Sequence, residues 1–328
     1  GKDDVVIQAA VRVQGDGITV DLEGSSPQVN WGGNVVYNFT YAYVFMAIKS
    51  AMDPDIPINE GSTRPVKVTA PEGTVVNCKF PAAVAARMQI GHFMTEMVFR
   101  ALAEAIPDRV IAPCGGTPAQ TNIFYGRRYD GSPWLTMIIR GGGMGASSKQ
   151  DGHHCAIFPA NGANTPVEIF ESDTPLLVLE RKLITDSGGP GRMRGGLGRT
   201  MVIKVPDDEY APQPPVTVAI QAGRYKYPPE GLFGGRPGAR AQFLVNGEPG
   251  DPSGLTFCNP GDVMAFHSAG GGGYGDPFER DPEMVRRDVI YGYVSPERAR
   301  EDYGVVIDPK AYEIDYETTE RLRRGRRD

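Results

Sequence analysis

The string Arg140-Gly-Gly-Gly-Met-Gly-Ala146 is followed closely by Asp151-Gly-His-His-Cys155, which gathers a carboxylate, two imidazoles and a thiol in one short segment. These imidazoles are two of the four histidines in the chain. An imidazole near its ordinary pKa of roughly 6.5 passes protons at neutral pH. Asparagine amides can orient a carbonyl or phosphorylated oxygen by donating hydrogen bonds. On these local grounds Asp151, His153 and His154 are the candidate catalytic residues. Asn161, Asn164, Gly143 and Gly272 are the candidate substrate-binding positions, with the glycine strings expected as backbone loops converging near a cleft. Successive residues of a strand point to opposite faces, so only one of the two histidines can face a substrate, and His154 is the choice. The same alternation keeps His153 and His154 from chelating one ion, so no metal site is assigned here although imidazole and thiolate are good zinc ligands. Polar packing of both histidines is the competing reading.

Other reactive residue types are scattered. His92, Glu96 and Arg100 recur every four residues, opposite an apolar helical stripe. That spacing fits a general-base pair, but a solvated ion-pair ladder is the expectation. His267 stands just before Gly270-Gly-Gly-Gly-Tyr-Gly275 and faces either a cleft or the edge of a core. The glycine run formally contains G-x-G-x-x-G, yet Asp276-Pro277 follows where a helix should open, so a dinucleotide site is not expected. No G-x-x-x-x-G-K-[ST] and no G-x-S-x-G occur, which removes the phosphate-binding loop and the hydrolase elbow.

The elements that must position these residues follow from periodicity. Val5–Val13 and Ile18–Leu22 alternate around Gly15-Asp16-Gly17 and read as a hairpin. Tyr37–Met52 reads as a buried helix, 66–70 as a strand, and Gln89–Ile106 as an amphipathic helix stopped by Pro107. Strands are expected at 121–126, 134–140, 167–171, 177–184, 200–205, 216–221, 241–245 and 263–267. Helices are expected at 283–291 and 296–303, and 309–328 reads as a charged tail. Short strands between glycine-rich turns, without long helices between them, predict an α+β fold dominated by mixed or antiparallel sheet. The expected segments are an α+β portion over 1–120, a β-rich portion with glycine-rich loops over 121–280, and short helices with the charged tail over 281–328.

Composition bounds the function. The 328 residues carry 42 Gly and 28 Pro without a collagen period, which argues against a helical bundle. The net charge of −6 disfavours a nucleic-acid partner. No run of 18 apolar residues occurs, so no membrane helix is expected. Cys78, Cys114, Cys155 and Cys258 are spaced like reduced thiols, which with no signal peptide predicts a cytoplasmic protein. The first residue is Gly1 and a strand follows almost at once, so the sequence is expected to begin inside a longer protein. An exposed apolar surface is then expected where the remainder packs.

Several strings occur together in one order: Asp53-Pro-Asp-Ile-Pro-Ile-Asn-Glu-Gly61, Pro65–Gly73, Phe99–Pro107, Gly141-Gly-Gly-Met-Gly-Ala146, Asn164-Thr-Pro-Val-Glu168, Asp186–Gly198, Pro260-Gly-Asp262, Gly270–Pro277, Val294–Arg300 and Tyr303–Val306. Jointly they resemble the hydantoinase B/oxoprolinase family over nearly the whole chain. The resemblance implies a B-like subunit, or part of one, in an ATP-dependent cyclic-amide hydrolase. Its implied partner is a hydantoinase A-like subunit that holds ATP and Mg and phosphorylates the substrate's carbonyl oxygen. It also implies a further N-terminal portion of the B-like chain, where a metal ion is held, together with a small-molecule substrate and a hetero-oligomer. Asn30-Trp-Gly-Gly-Asn34 and His153-His154-Cys155 depart from the usual hydantoinase wording. An acetone or acetophenone carboxylase-type assembly therefore stands as the alternative, beside a non-catalytic scaffold subunit.

Overall fold

A computed structural model describes residues 4–325, which divide into two compact units, Gly1–Val110 and Ile111–Asp328. The sequence-read segments 121–280 and 281–328 both fall inside the second unit.

In the first unit β1 (Ala10–Gln14) and β2 (Gly17–Asp21) form the expected hairpin, with Gly15 at φ 60° in its turn. Residues 5–9 do not extend that ladder. Val6 instead exchanges hydrogen bonds with Ser26, and Gln8 bonds to Ser25. The helix α1 (Tyr37–Met52) has its expected bounds, and α2 (Glu60–Thr63) is a single turn capped by Asn59. The strand β3 (Val66–Thr69) lies parallel to β2, with Val20 opposite Val68. The helix predicted over 89–106 breaks at His92 into α3 (Met88–Gly91) and α4 (Phe93–Leu102). Val44, Ile48, Met94, Val98 and Leu102 are buried where α1 packs on α4.

The ladder expected at His92, Glu96 and Arg100 is corrected here. His92 and Glu96 are buried and only Arg100 is exposed. The His92 ring lies beside Tyr43, hydrogen-bonded to its hydroxyl at 3.2 Å, and burial pushes its pKa down to about 4. The stripe reading failed because α4 has packing on more than its apolar face.

The second unit opens with β4 (Gln120–Arg127) and β5 (Pro133–Arg140). The strand expected at 167–171 is instead a helix, α5 (Val167–Asp173). Only Phe170 of this segment is buried, while Val167 is half-buried and Ile169 exposed, so the segment lacks the alternating buried face of a strand. Then come β6 (Leu177–Leu183), β7 (Arg199–Lys204), β8 (Gln213–Gln221), β9 (Gln242–Val245), β10 (Glu248–Pro249), β11 (Leu255–Cys258) and β12 (Val263–His267). They form two antiparallel sheets, ordered β10-β9-β12-β7-β6 and β11-β8-β4-β5. Alternate residues of both sheets meet in one core: Phe124, Ile138 and Val218 from one, Met201, Phe243 and Phe266 from the other. The α+β expectation holds. The opposite face of the four-stranded sheet exposes Leu135 and Met137 of β5 with Leu255 and Phe257 of β11.

The chain closes with α6 (Pro282–Ile290), α7 (Pro296–Tyr303) and α8 (Tyr316–Arg324), capped by Asp281, Ser295 and Asp315. Val285, Val289, Ala299 and Tyr303 belong to a second small core. The charged tail is thus helical over α8, and Arg323 donates to the backbone carbonyls of Tyr303 and Arg280. Arg326 and Arg327 lie outside the described residues.

Between these elements the glycine strings form a structure of their own. Gly270 and Gly273 donate to Ala239 and Arg236, Gly271 to Gly196, and Gly272 to Pro113. The partner string thus recurs after three residues. Gly143 and Ala146 repeat the pattern, bonding to Ala269 and Gly272. Three residues per turn, with hydrogen bonds only to neighbours, is the geometry of a polyproline-II-type helix. Neighbouring strings pack this closely only where side chains are missing. A Cβ on Gly143 would overlap the Gly196 carbonyl, and one on Gly272 the Glu230 carbonyl.

Candidate functional site

Residues 151–155 form one string of this glycine bundle. Gly152 donates to the Arg194 carbonyl, and the His153 carbonyl accepts from Met144. The bundle therefore fixes the backbone from which Asp151, His153 and His154 project.

Asp151 is held by arginines. Its Oδ1 accepts from Arg280 Nη1 and from the Arg194 amide, both at 2.7 Å, and its Oδ2 accepts from Arg280 Nη2 at 2.7 Å. Arg280 also donates to Asp288 at 2.7 Å, and Arg194 donates to both Asp288 oxygens at 3.2 and 3.3 Å. Arg280 is 1 % exposed and Arg194 3 %. Two carboxylates thus balance two buried guanidinium groups. Burial works to raise the Asp151 pKa, but the Arg280 hydrogen bonds and the Arg280 and Arg194 charges overcome it and hold the carboxyl below its usual range. Asp151 is a fixed carboxylate whose lone pairs are committed to this network.

His154 is half-buried. Its Nδ1 accepts a 2.9 Å hydrogen bond from the Leu197 amide, which leaves the proton on Nε2. Its ring meets Tyr293 edge-on at 4.5 Å. Burial, aided by the Arg194 charge, pushes its pKa down to about 4 against the pull of Asp288 and Asp151. The ordinary imidazole pKa assumed from sequence therefore does not apply to His154. At neutral pH it is a hydrogen-bond donor through Nε2 rather than a proton acceptor. His153, by contrast, is exposed.

The other candidates fall into two groups. Asn161 is exposed with φ 50°, in the left-handed region that asparagine tolerates. Asn164 donates to the Cys155 carbonyl at 3.0 Å and accepts from the Gly141 amide at 3.4 Å, so its amide fastens the loop to the bundle. Gly143 and Gly272 are brought together, on strings that bond to each other, but both are buried among backbones. His267 is partly buried, opposite Thr200 and Gln242 in the register of β12. Among the described residues no group of three or more His, Cys, Asp or Glu side chains is placed to hold a metal ion.

Sequence reasoning missed Arg194, Arg280 and Asp288. Asp151 and Arg280 lie 129 residues apart, and nothing local marks them as partners.

Residues 2–277 match the family model described as hydantoinase B/oxoprolinase. The B-type subunit of a putative D-/L-hydantoinase from a Pseudomonas species is 32 % identical, over 98 % of this chain and 55 % of that protein. An acetophenone carboxylase delta subunit from Aromatoleum aromaticum is 24 % identical, over 96 % of this chain and 52 % of its own length. Among solved structures, the ATP-dependent caprolactamase from Pseudomonas jessenii superposes with a TM-score of 0.82 at 28 % identity, covering 97 % of this chain and 56 % of that one. The chain thus spans about half the length of the relatives it matches.

Proposed function

This chain belongs to the hydantoinase B/oxoprolinase family, and on that footing we propose that it is the B-type part of an ATP-dependent cyclic-amide hydrolase. It acts with a hydantoinase A-like subunit that holds ATP and phosphorylates the substrate's amide oxygen. The match over residues 2–277, together with the hydantoinase and caprolactamase likenesses, carries this reading. The chemistry is coherent, because an amide oxygen is a poor leaving group and a phosphate is a good one.

ATP is assigned to the partner. The Gly270–Gly275 string of this chain runs into Asp276-Pro277 and a 3-10 turn (Pro277–Glu279), not into a helix that could cradle phosphates. The metal that the family implies finds no fitting donor set among the described residues, so no step is routed through it.

The roles of this chain's residues follow from their surroundings. His154 Nε2–H donates a hydrogen bond to the carbonyl or phosphorylated oxygen, its tautomer fixed by Leu197. His153, exposed to solvent, is the second candidate side chain beside it. Asn161 offers its amide to the substrate, while Asn164, Gly143 and Gly272 hold the loop and bundle in place. Asp151 positions the string through Arg280 and Arg194.

The test is substrate-coupled ATP turnover of the assembled complex. His154→Gln is expected to lower kcat by about tenfold or more, with KM for ATP unchanged. Near-normal turnover in both His154→Gln and His153→Gln would remove these roles. ATP turnover still coupled to substrate when the chain is omitted would make it a scaffold. The carboxylase reading is favoured by the acetophenone carboxylase likeness and by the Asn30–Asn34 string. Turnover that requires bicarbonate would select it.

A further inference from the structure

Where β4, β5 and β7 end together, the core between the two sheets changes from apolar to polar. On β4 the inward side chains run Phe124, Asn122, Gln120, and on β5 they run Ile138, Arg140, with Gln120 paired to Arg140 in register. On β7 the inward set Ile203, Met201 continues to Arg199. Tyr225, which packs against the same core, closes the group.

Arg140 is 1 % exposed and Arg199 4 %. Arg140 Nε donates to Asn122 Oδ1 at 2.6 Å, and its guanidinium lies 4.8 Å from the Phe266 ring centre. Neither of its Nη atoms makes a well-formed hydrogen bond, although the Tyr225 hydroxyl lies beside the guanidinium and supports its charge; Arg199 Nε, Gln120 Nε2 and Oε1 and Asn122 Nδ2 also lack a partner. Among the described residues neither arginine is paired to a carboxylate. Apart from Gln120 Oε1, every unpartnered atom in this group is a donor, and the local charge is positive. Natural proteins satisfy buried donors and balance buried charges.

We propose that Gln120, Asn122, Arg140, Arg199 and Tyr225 form a buried binding site for a small oxyanion, a carboxylate or a phosphate, at the polar end of the two-sheet core. A planar carboxylate or one face of a phosphate matches the two Nη atoms of Arg140 as a fork, with the neighbouring Tyr225 hydroxyl at its edge. Arg199 supplies the second positive charge, and Gln120 and Tyr225 supply neutral donors. Burial lowers the Arg140 pKa to about 10 against the pull of Tyr225, and burial with the Arg181 and Arg140 charges lowers that of Arg199 to about 10 against the pull of Cys155, so both remain charged at neutral pH. Arg181 and Cys155, each only partly buried, act on Arg199 electrostatically. The site needs no catalytic turnover, so it stands or falls separately from the reading of His153 and His154.

Direct binding tests it. The assembled protein is titrated calorimetrically with potassium phosphate and, in a second arm, sodium acetate, and its melting temperature is followed in each against equal potassium chloride. One saturable site per chain is expected. Phosphate binding alone identifies a phosphate source, and acetate binding alone a carboxylate-bearing one. Arg140→Met is expected to weaken binding by about tenfold or more. Asn122→Asp supplies a carboxylate of the protein's own beside Arg140 Nε, and should abolish anion binding while leaving the anion-free melting temperature unchanged or higher. No stabilisation beyond that given by chloride, or undiminished binding by Asn122→Asp, overturns the site.

Discussion

Two pairs of buried arginines lie in the second unit, and they are held in opposite ways. Arg194 and Arg280 face Asp151 and Asp288 at 2.7 to 3.9 Å. Arg140 and Arg199 face amides, an aromatic ring and each other's charge. Desolvating a guanidinium is costly wherever it happens. In the first pair the cost is offset inside the chain, and the product is rigidity, because every oxygen is spent. In the second pair it is not offset, and the product is unspent binding capacity. Burial alone does not separate structural from ligand-binding arginines. The location of the counter-charge does.

The largest expected effect removes the support both pairs share, since Arg140 and Asp151 project from glycine strings and Arg194 and Arg199 flank a third. Gly143→Val or Gly272→Val places a side chain inside a neighbouring carbonyl and should leave no soluble folded protein. Gly15→Val, at a turn with open space around it, should cost only about 1–3 kcal/mol for its positive φ. Expression and circular dichroism of the three variants decide it, and equal tolerance would refute the bundle's role.

Next comes the contrast itself. Asp288→Ala leaves two buried guanidinium groups to share Asp151, with Arg194 only 3.9 Å from it, and should cost about 3–5 kcal/mol in denaturant unfolding. Arg140→Met removes a charge that has no carboxylate partner and should change stability by about 1 kcal/mol or less. If the two variants lose equal stability, the clusters do not differ as described.

The smallest effect concerns pH. The folded pKa of His154 is about 4, below the unfolded value of 6.5, so the unfolded state binds more protons between them. Stability should therefore fall as pH drops from about 6.5 toward 4, and His154→Gln should flatten that slope. Asp151 acts lower, because its folded pKa is depressed. Its contribution is present above about pH 4 and is lost as pH falls further.

Much of the fold was legible in local patterns. The helix α1 has its expected limits, and the alternating strands from β4 to β12 lie close to theirs, because alternation is imposed by a sheet with one buried face. Val167 and Ile169 misled because β-branched residues mark strands only where a core receives them. His92 and Glu96 misled because polar spacing on a helix does not reveal a second packing partner. The two-residue strand β10 passed unseen for lack of length, and β11 because it lies between the turn residues Pro252-Ser253-Gly254 and Asn259-Pro260-Gly261. The site was legible only as a string, from Asp151 to Cys155. Its environment depends on Arg194, Arg280, Asp288 and Tyr293, which share no local spacing with it. The glycine clusters were visible, but a three-residue repeat bonded to distant strings leaves no hydrophobic periodicity to read.

The bundle also governs how the molecule is made. Its strings come from Pro113, Gly143, Gly196, Arg236 and Gly271, with the whole of the two-sheet unit threaded between them. A few bonds are local, such as Met144 to His153 and Gly195 to Gly189, but most join strings far apart in sequence, and no string has an apolar face. Loop-closure entropy makes such distant pairings slow. The bundle cannot be completed until Gly273 has been synthesised, because Gly270 to Gly273 bond to four earlier residues from Pro113 to Ala239. A nascent chain stalled before that point exposes sheet edges without their central brace, the condition in which chaperones engage a growing polypeptide.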